Sequence, residues 1–202
     1  GSRKQMDCLI SIIENKKYSN LIIDLRNNPG GNHLSAFPLA EYIIDKPIIA
    51  GVFPNKNWYK EFERIPNKKD YSKFTEFSGG TMKEWFDKAS QNYGVYFKVN
   101  PSENYFKGKV YVLTNNRTGS TCEPFVYGLK KDNYATIIGE YTAGAMLSSN
   151  EFDLGNGITL RIPLNDYITY SGERIDKNGI EPNIEVESEK ALEYTLDKIM
   201  NN

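Results

Sequence analysis

The stretch with the clearest chemical potential is centred on Ser120, which lies between an apolar run at 109–113 and a helical pattern at 123–131. The first N–H groups of a helix are unpaired and carry partial positive charge, so an oxygen at such a corner can be stabilised as an anion. Ser120 is therefore a candidate nucleophile. The alternative interpretation is a helix cap, because Ser120 and Glu123 have the spacing of a capping box and Pro124 is tolerated in a first turn.

A second turn contains residues that suit ligand binding. The apolar run 21–25 leads into residues 26–32 (RNNPGGN), where Gly30 and Gly31 let the backbone approach a ligand closely. In an α/β fold, ligands bind beyond the carboxyl ends of parallel strands. We therefore expect the glycine turn and Ser120 to share one cleft. An oxyanion formed there would be bound by the amides of Thr121 and of Gly30 or Gly31.

The elements that must position these residues alternate along the chain. Helical patterns are predicted at 4–16, 34–45, 123–131 and 188–200, and strands at 21–25, 47–53, 109–113, 136–139, 167–170 and 184–186. This alternation predicts an α/β fold with a mostly parallel sheet flanked by helices. Near the C-terminus, residues 151–162 alternate around the turn Gly155-Asn-Gly157 and predict a β-hairpin.

Residues 53–106, which we name the aromatic segment, interrupt the alternation. They contain 14 of the 26 aromatic residues, together with many lysines. A disordered linker would be poor in aromatics, so we expect an inserted, folded and mostly helical lobe. It serves either as a lid or substrate wall, or as a decoration that varies within a family.

Length and composition narrow the class of protein. The 202 residues suffice for one core, so we expect a single domain over 1–202. A formal net charge of -1 provides no basic surface for nucleic acid, and no apolar run approaches the roughly 18 residues of a membrane span. Cys8 and Cys122 lack the spacing of metal ligands, and we expect neither a metal nor a cofactor.

The chain opens with Gly1 and Ser2 and has no initiator Met, which is the pattern that tag cleavage leaves. We therefore expect an upstream domain or leader in the natural protein.

Three segments in register resemble one family. They are 22–31 (IIDLRNNPGG), the Ser120 corner followed by 138–144 (IGEYTAG), and 178–183 (NGIEPN). Together they resemble the carboxyl-terminal processing, or tail-specific, serine proteases over most of the chain except the aromatic segment. The resemblance implies a Clp protease/crotonase-like core, Ser120 as the nucleophile, and hydrolysis of peptide bonds through an acyl-enzyme.

One departure from the family pattern concerns the general base. The larger branch has a Lys directly after the 138–144 motif, where this chain has Ala145. The tricorn and interphotoreceptor retinoid-binding protein branch resembles the sequence better, and its nucleophile is activated by a His that a carboxylate orients. By that resemblance Asp176 takes the place of the carboxylate; the alternative is a solvated turn residue.

The histidine of that branch lies upstream of the 22–31 motif. The single histidine of this chain, His33, follows the motif instead, and it is either a base beside the glycine turn or a turn residue. Three other carboxylates, Glu123, Glu140 and Glu181, are interpreted as braces of loops and caps.

The leading hypothesis is a serine endopeptidase acting on polypeptides. A second hypothesis is a catalytically silent member that binds peptides, and a third is a crotonase-type acyl-ester enzyme, which is disfavoured because such enzymes do not use a Ser at a helix start. The resemblance implies an extracytoplasmic address and is compatible with a homo-oligomer.

Overall fold

The computed structural model describes residues 3–201, apart from the side chain of Leu34. Its elements in chain order are α1 (Arg3–Lys16), β1 (Asn20–Asp24), α2 (Ala36–Ile43), β2 (Ile48–Pro54), α3 (Lys56–Phe62), β3 (Thr75–Phe77), α4 (Met82–Ser90), β4 (Gly94–Val99), β5 (Lys109–Thr114), α5 (Cys122–Lys131), β6 (Thr136–Gly139), β7 (Ser148–Asp153), β8 (Thr159–Asn165), β9 (Ile168–Thr169), β10 (Ile184–Glu185) and α6 (Ala191–Met200). Short 3-10 turns precede α2 and α6 and follow α3.

A four-stranded parallel sheet, in the order β1-β5-β6-β10, positions the candidate site. Side chains of its central strands are buried on both faces. Val112 and Ile137 lie in the main core, while Leu113 and Ile138 pack with Ala191 of α6. Helices therefore cover both faces, as the apolar runs predicted.

Strand β2 does not join the parallel sheet, contrary to the expectation from the strand–helix alternation. It belongs to a second sheet, ordered β3-β4-β2-β9, in which it pairs antiparallel with β4 and β9. Its partner β4 lies in the aromatic segment. The periodicity of a short apolar strand does not specify its partner, so sheet membership depends on long-range packing.

The aromatic segment is folded, as expected, but the prediction that it is mostly helical was wrong. It contributes strands β3 and β4 as well as helices α3 and α4. Phe77, Trp85 and Phe97 lie in the main hydrophobic core together with Val112 of the parallel sheet. Large aromatic side chains bury much apolar area each, so this segment forms part of the common core.

Strands β7 and β8 form the predicted hairpin, which is a two-stranded sheet of its own. Within residues 3–201, no helix is long and apolar enough to cross a membrane.

Candidate active site

Ser120 lies in the loop between β5 and α5 and has a left-handed backbone conformation with φ 53°. This region is rarely occupied by residues with a side chain and is enriched at functional sites. Helix α5 begins two residues later, at Cys122. Ser120 is thus placed at the strand-to-helix corner that the sequence predicted.

The Ser120 hydroxyl does not cap the helix. The N–H of Glu123 donates to the backbone carbonyl of Ser120 at 2.8 Å, while the Glu123 carboxylate accepts from the N–H of Ser120 at 3.0 Å. Only the carboxylate half of a capping box is therefore formed. Among the hydrogen bonds of residues 3–201, none involves Ser120 Oγ.

Gly30 lies directly against the Ser120 loop, so the expected juxtaposition of the two turns is observed. A Cβ atom added to Gly30 would lie 2.6 Å from Ser120 Cβ and 2.9 Å from the Thr121 nitrogen. Such distances are too short for any other residue, and the φ of Gly30, 94°, also favours glycine. The glycine is needed so that the two loops can meet.

The amides around this contact differ in their availability. The N–H of Gly30 donates to Asn28 Oδ1 at 3.0 Å, and the carbonyl of Gly31 accepts from Thr121 Oγ1 at 2.7 Å. The Gly30 donor is therefore already engaged in this conformation. The amides of Gly31 and Thr121 remain as the candidate donors to an oxyanion.

A cavity of about 310 Å³ adjoins these residues. Gly30, Gly31 and Thr121 line one side, and Leu25, Leu39 and Phe125 are among the apolar residues that complete it. A cavity with a mostly apolar lining and a few polar groups is suited to hold a side chain of a bound polypeptide.

Glu123 braces the site from behind. Its side chain is fully buried and accepts four hydrogen bonds, from the N–H of Ser120, the hydroxyl of Thr142, and the amides of Gly144 and Ala145, at 2.7–3.0 Å. Burial raises the pKa of Glu123, and the four donors oppose that shift. One carboxylate thus fixes the Ser120 loop to the 138–145 loop, as its interpretation as a brace predicted.

Ala145 lies beside the Ser120 loop. Its Cβ is 3.6 Å from the position that a Cβ on Gly119 would occupy. A lysine at 145 would therefore begin next to Ser120, whereas the methyl group of alanine cannot accept a proton.

Asp176 is half-buried in a turn that docks onto the same loop, because the N–H of Lys177 donates to the carbonyl of Gly144 at 2.7 Å. Gly144 is in turn bound to Glu123. The turn of Asp176 is thus connected to the Ser120 loop through one carboxylate.

His33 lies in different surroundings. It is 94% buried, since only 6% of its surface is exposed, and its ring centroid is 5.2–6.0 Å from those of four aromatic residues, Phe37, Phe77, Trp85 and Phe97. Its Nε2 has no hydrogen-bond partner, and burial lowers the pKa of His33 to about 4. Among the described residues, no hydrogen bond joins His33 to Ser120 or to Asp176.

The profile of peptidase family S41 matches residues 1–186. The chain belongs to this family. The carboxy-terminal processing protease CtpA of Bacillus subtilis (strain 168) is 25% identical over 186 residues, which are 91% of this chain and 32% of that protein. The chain thus spans about a third of the length of the curated relatives that it matches.

Solved structures show the same fold. Mature CPAF aligns with a TM-score of 0.69 at 19% identity, covering 98% of this chain and 45% of its own. The tricorn protease aligns with a TM-score of 0.55 at 20% identity, covering 91% of this chain and 15% of its own. These likenesses confirm the Clp protease/crotonase-like fold of this S41 chain.

Two features of this S41 site were missed by sequence reasoning. Asn28 engages the Gly30 amide, and Thr142 contributes a hydroxyl to the Glu123 carboxylate. The signal for Asn28 was present, because an Asn two residues before a glycine favours an Asx turn. Thr142 belongs to the 138–144 motif, but the motif by itself does not indicate that its hydroxyl binds Glu123.

Proposed function

We propose that this chain is the catalytic core of a serine peptidase, which hydrolyses peptide bonds of polypeptide substrates through an acyl-enzyme on Ser120. The observation that carries the proposal is the state of the Ser120 side chain. It stands at a helix start, its hydroxyl is not used as a cap, and its backbone is left-handed where Gly30 packs against it. This is the arrangement that exposes a nucleophile at a strand-to-helix turn.

The reaction follows from the surrounding groups. Ser120 Oγ attacks the scissile carbonyl carbon while a base takes its proton, and the carbonyl oxygen becomes an oxyanion. When this intermediate collapses, the C–N bond breaks and the base returns the proton to the departing amine; water then hydrolyses the acyl-enzyme and frees Ser120. The amides of Gly31 and Thr121 stabilise that charge, with Gly30 joining them if its bond to Asn28 opens. Each such donor contributes about 3 kcal/mol to the transition state. The cavity beside Gly31 receives a side chain of the acyl part.

Two versions of this proposal differ in the general base that activates Ser120, which is either a lysine at position 145 or a histidine oriented by Asp176. Ala145 excludes a lysine at the position that the larger branch uses. We propose that Asp176 orients a histidine that activates Ser120, as the tricorn resemblance implies. In the complete protein, Asp176→Asn should then leave folding nearly unchanged, because a turn tolerates Asn, but lower turnover by orders of magnitude through the wrong imidazole tautomer, with Ser120→Ala as the baseline. Turnover within about threefold of the parent would remove Asp176 from the site.

Labelling with a fluorophosphonate probe tests Ser120 directly, since the probe reacts with an activated serine and not with a cap. In the complete natural protein Ser120 should be labelled, and Ser120→Ala should abolish the label while leaving the thermal melt unchanged. His33→Leu is the matched variant for the only histidine of this chain. Retained labelling would exclude His33 as the base, and loss by roughly 10²–10⁴-fold without unfolding would identify it.

A catalytically silent, peptide-binding protein is the alternative, and Ala145 is the observation that favours it. This function predicts no labelling of Ser120 together with saturable binding of a polypeptide whose complex is unaffected by Ser120→Ala.

We also propose an extracytoplasmic address, which rests on the family resemblance alone. Fractionation of cells that make the natural protein, followed by immunodetection, tests it; recovery in the cytosolic fraction would overturn it.

A further inference from the structure

The hairpin β7–β8 exposes an unusual amount of apolar surface. Six large side chains, which we name the hairpin face, are each 40–60% exposed; they are Phe152, Leu154, Ile158, Leu160, Ile162 and Leu164. Single exposed apolar residues are normal on a soluble protein. A contiguous set of six on one short ribbon is not, and such patches mark interaction sites.

Strand register shows that five of these side chains share one face, while Leu164 lies at a shift in the register. Phe152 is paired with Leu160, and the N–H of Leu154 donates to the carbonyl of Ile158 at 2.9 Å. Directly paired residues point to the same side of a sheet, and residues two apart along a strand do as well. The opposite side carries Glu151 paired with Arg161. The ribbon is therefore amphipathic, with one exposed apolar face and one face that carries charged residues.

The root of the hairpin is held rigidly. Asn165 is 6% exposed and its amide donates to the carbonyl of Ala89 at 3.3 Å. The next residue, Asp166, accepts a hydrogen bond from the Tyr59 hydroxyl at 2.7 Å and is paired with Arg174. The hairpin face is thus presented in a fixed orientation, which reduces the entropy lost when a partner binds it.

We infer that the hairpin face is a dimer interface, covered in solution by the same face of a second copy of this chain. Of the residues paired within the ribbon on this face, Asn150 is polar and none is charged, so the face cannot select a partner of opposite charge. Interfaces between identical subunits are the more apolar kind. Two flat ribbons related by a two-fold axis form an aligned sheet packing, in which each hairpin gains the second layer that it lacks.

The exposed area is sufficient for this interface. Six side chains that are each about half exposed amount to roughly 500 Å² of apolar surface, at about 180 Å² for a fully exposed large side chain. A stable interface buries about 800 Å² per partner, and the polar rim and the strand edges supply the rest. A two-stranded hairpin is marginal alone, so covering it also stabilises the ribbon.

Sedimentation equilibrium of the full 202-residue chain, at concentrations from about 1 to 200 µM, tests the inference. The mass should rise from 23.1 kDa towards twice that value. The variant Leu160→Lys/Ile162→Lys places two charges on the hairpin face and should weaken the dimer at least about tenfold. Both positions are exposed, so its thermal melt at the lowest concentration should match that of the parent.

Glu151→Gln/Thr159→Lys is the matched control, because it changes the net charge by the same two units on the opposite face. It should dimerise like the parent. The inference is overturned if the parent stays monomeric throughout, if the Leu160→Lys/Ile162→Lys variant dimerises as the parent does, or if the mass grows beyond that of a dimer, since open-ended association requires two different surfaces.

Discussion

Glu123 and His33 are both buried titratable residues, but the region around Glu123 supplies hydrogen-bond partners, whereas the region around His33 leaves a ring nitrogen without one. Glu123 receives four hydrogen bonds from the segments that build the candidate site. His33 has aromatic rings around it and an Nε2 without a partner. A buried group that is fully bonded fixes its surroundings, whereas one that lacks a partner costs free energy. The site is therefore rigid at Glu123, and the protein is destabilised at His33.

The largest effect on the free energy of unfolding is expected when Glu123 is replaced. Glu123→Ala leaves four donors without their acceptor, and we expect the free energy of unfolding to fall by about 4 kcal/mol. Urea denaturation measures it. Glu140→Ala is the control, because the half-buried Glu140 accepts one bond, from the N–H of Ser188, and should cost about 1 kcal/mol. Equal losses for the two variants would show that the four bonds do not act as a brace.

The next largest effect is the dependence of protein stability on pH that results from burial of His33. The folded-state pKa of His33 is about 4, below the ordinary value of 6.5, so the unfolded chain binds the proton first as the pH falls. Stability from this group is complete above pH 6.5 and is lost towards pH 4, by about 3 kcal/mol. The measurement is the difference between parent and His33→Leu in urea melts at each pH, which cancels the titration of the carboxylates. A difference independent of pH would contradict the lowered pKa.

At pH 7, His33→Leu should stabilise the protein by about 1–2 kcal/mol. Leucine fills a similar volume among Phe37, Phe77 and Trp85 and has no polar atom that needs a partner. A thermal melt would show an increase of several degrees. If the variant is instead less stable, the edge-to-face ring contacts of His33 stabilise the protein by more than its unpaired Nε2 destabilises it.

The smallest effect is expected at Ser120, in the corner between β5 and α5. Ser120→Gly should stabilise the protein by about 0.5–1 kcal/mol, because glycine adopts the left-handed conformation without the steric cost that serine has. Ser120→Ala keeps the Cβ atom and should change little. A larger free energy of unfolding for Ser120→Gly than for Ser120→Ala would show that the backbone is strained at this corner. Equal values would show that Glu123 holds the corner without strain.

Much of the architecture could be predicted from local sequence. Strand β6 has the predicted bounds, and most of the helices and strands of the parallel sheet begin and end within about two residues of the prediction. The three motifs gave the family, and the two loops meet as expected because parallel strands β1 and β5 are neighbours and end at the same edge. The glycine at position 30 indicates that the backbone approaches another segment closely. The local sequence does not show that this segment is the Ser120 loop.

Other features were decided by tertiary structure alone. The sequence by itself determined the strands of the parallel sheet, but neither the strands β3 and β4 of the aromatic segment nor that β2 leaves the parallel sheet, because an apolar run carries no information about its partner. The sequence spacing of Ser120 and Glu123 fits both a cap and a nucleophile. The fold directs the Glu123 carboxylate to distant amides at 144 and 145, and the described hydrogen bonds of Ser120 do not include its hydroxyl. Long-range hydrogen bonds of this kind depend on how loops far apart in sequence are brought together, and no local pattern encodes them.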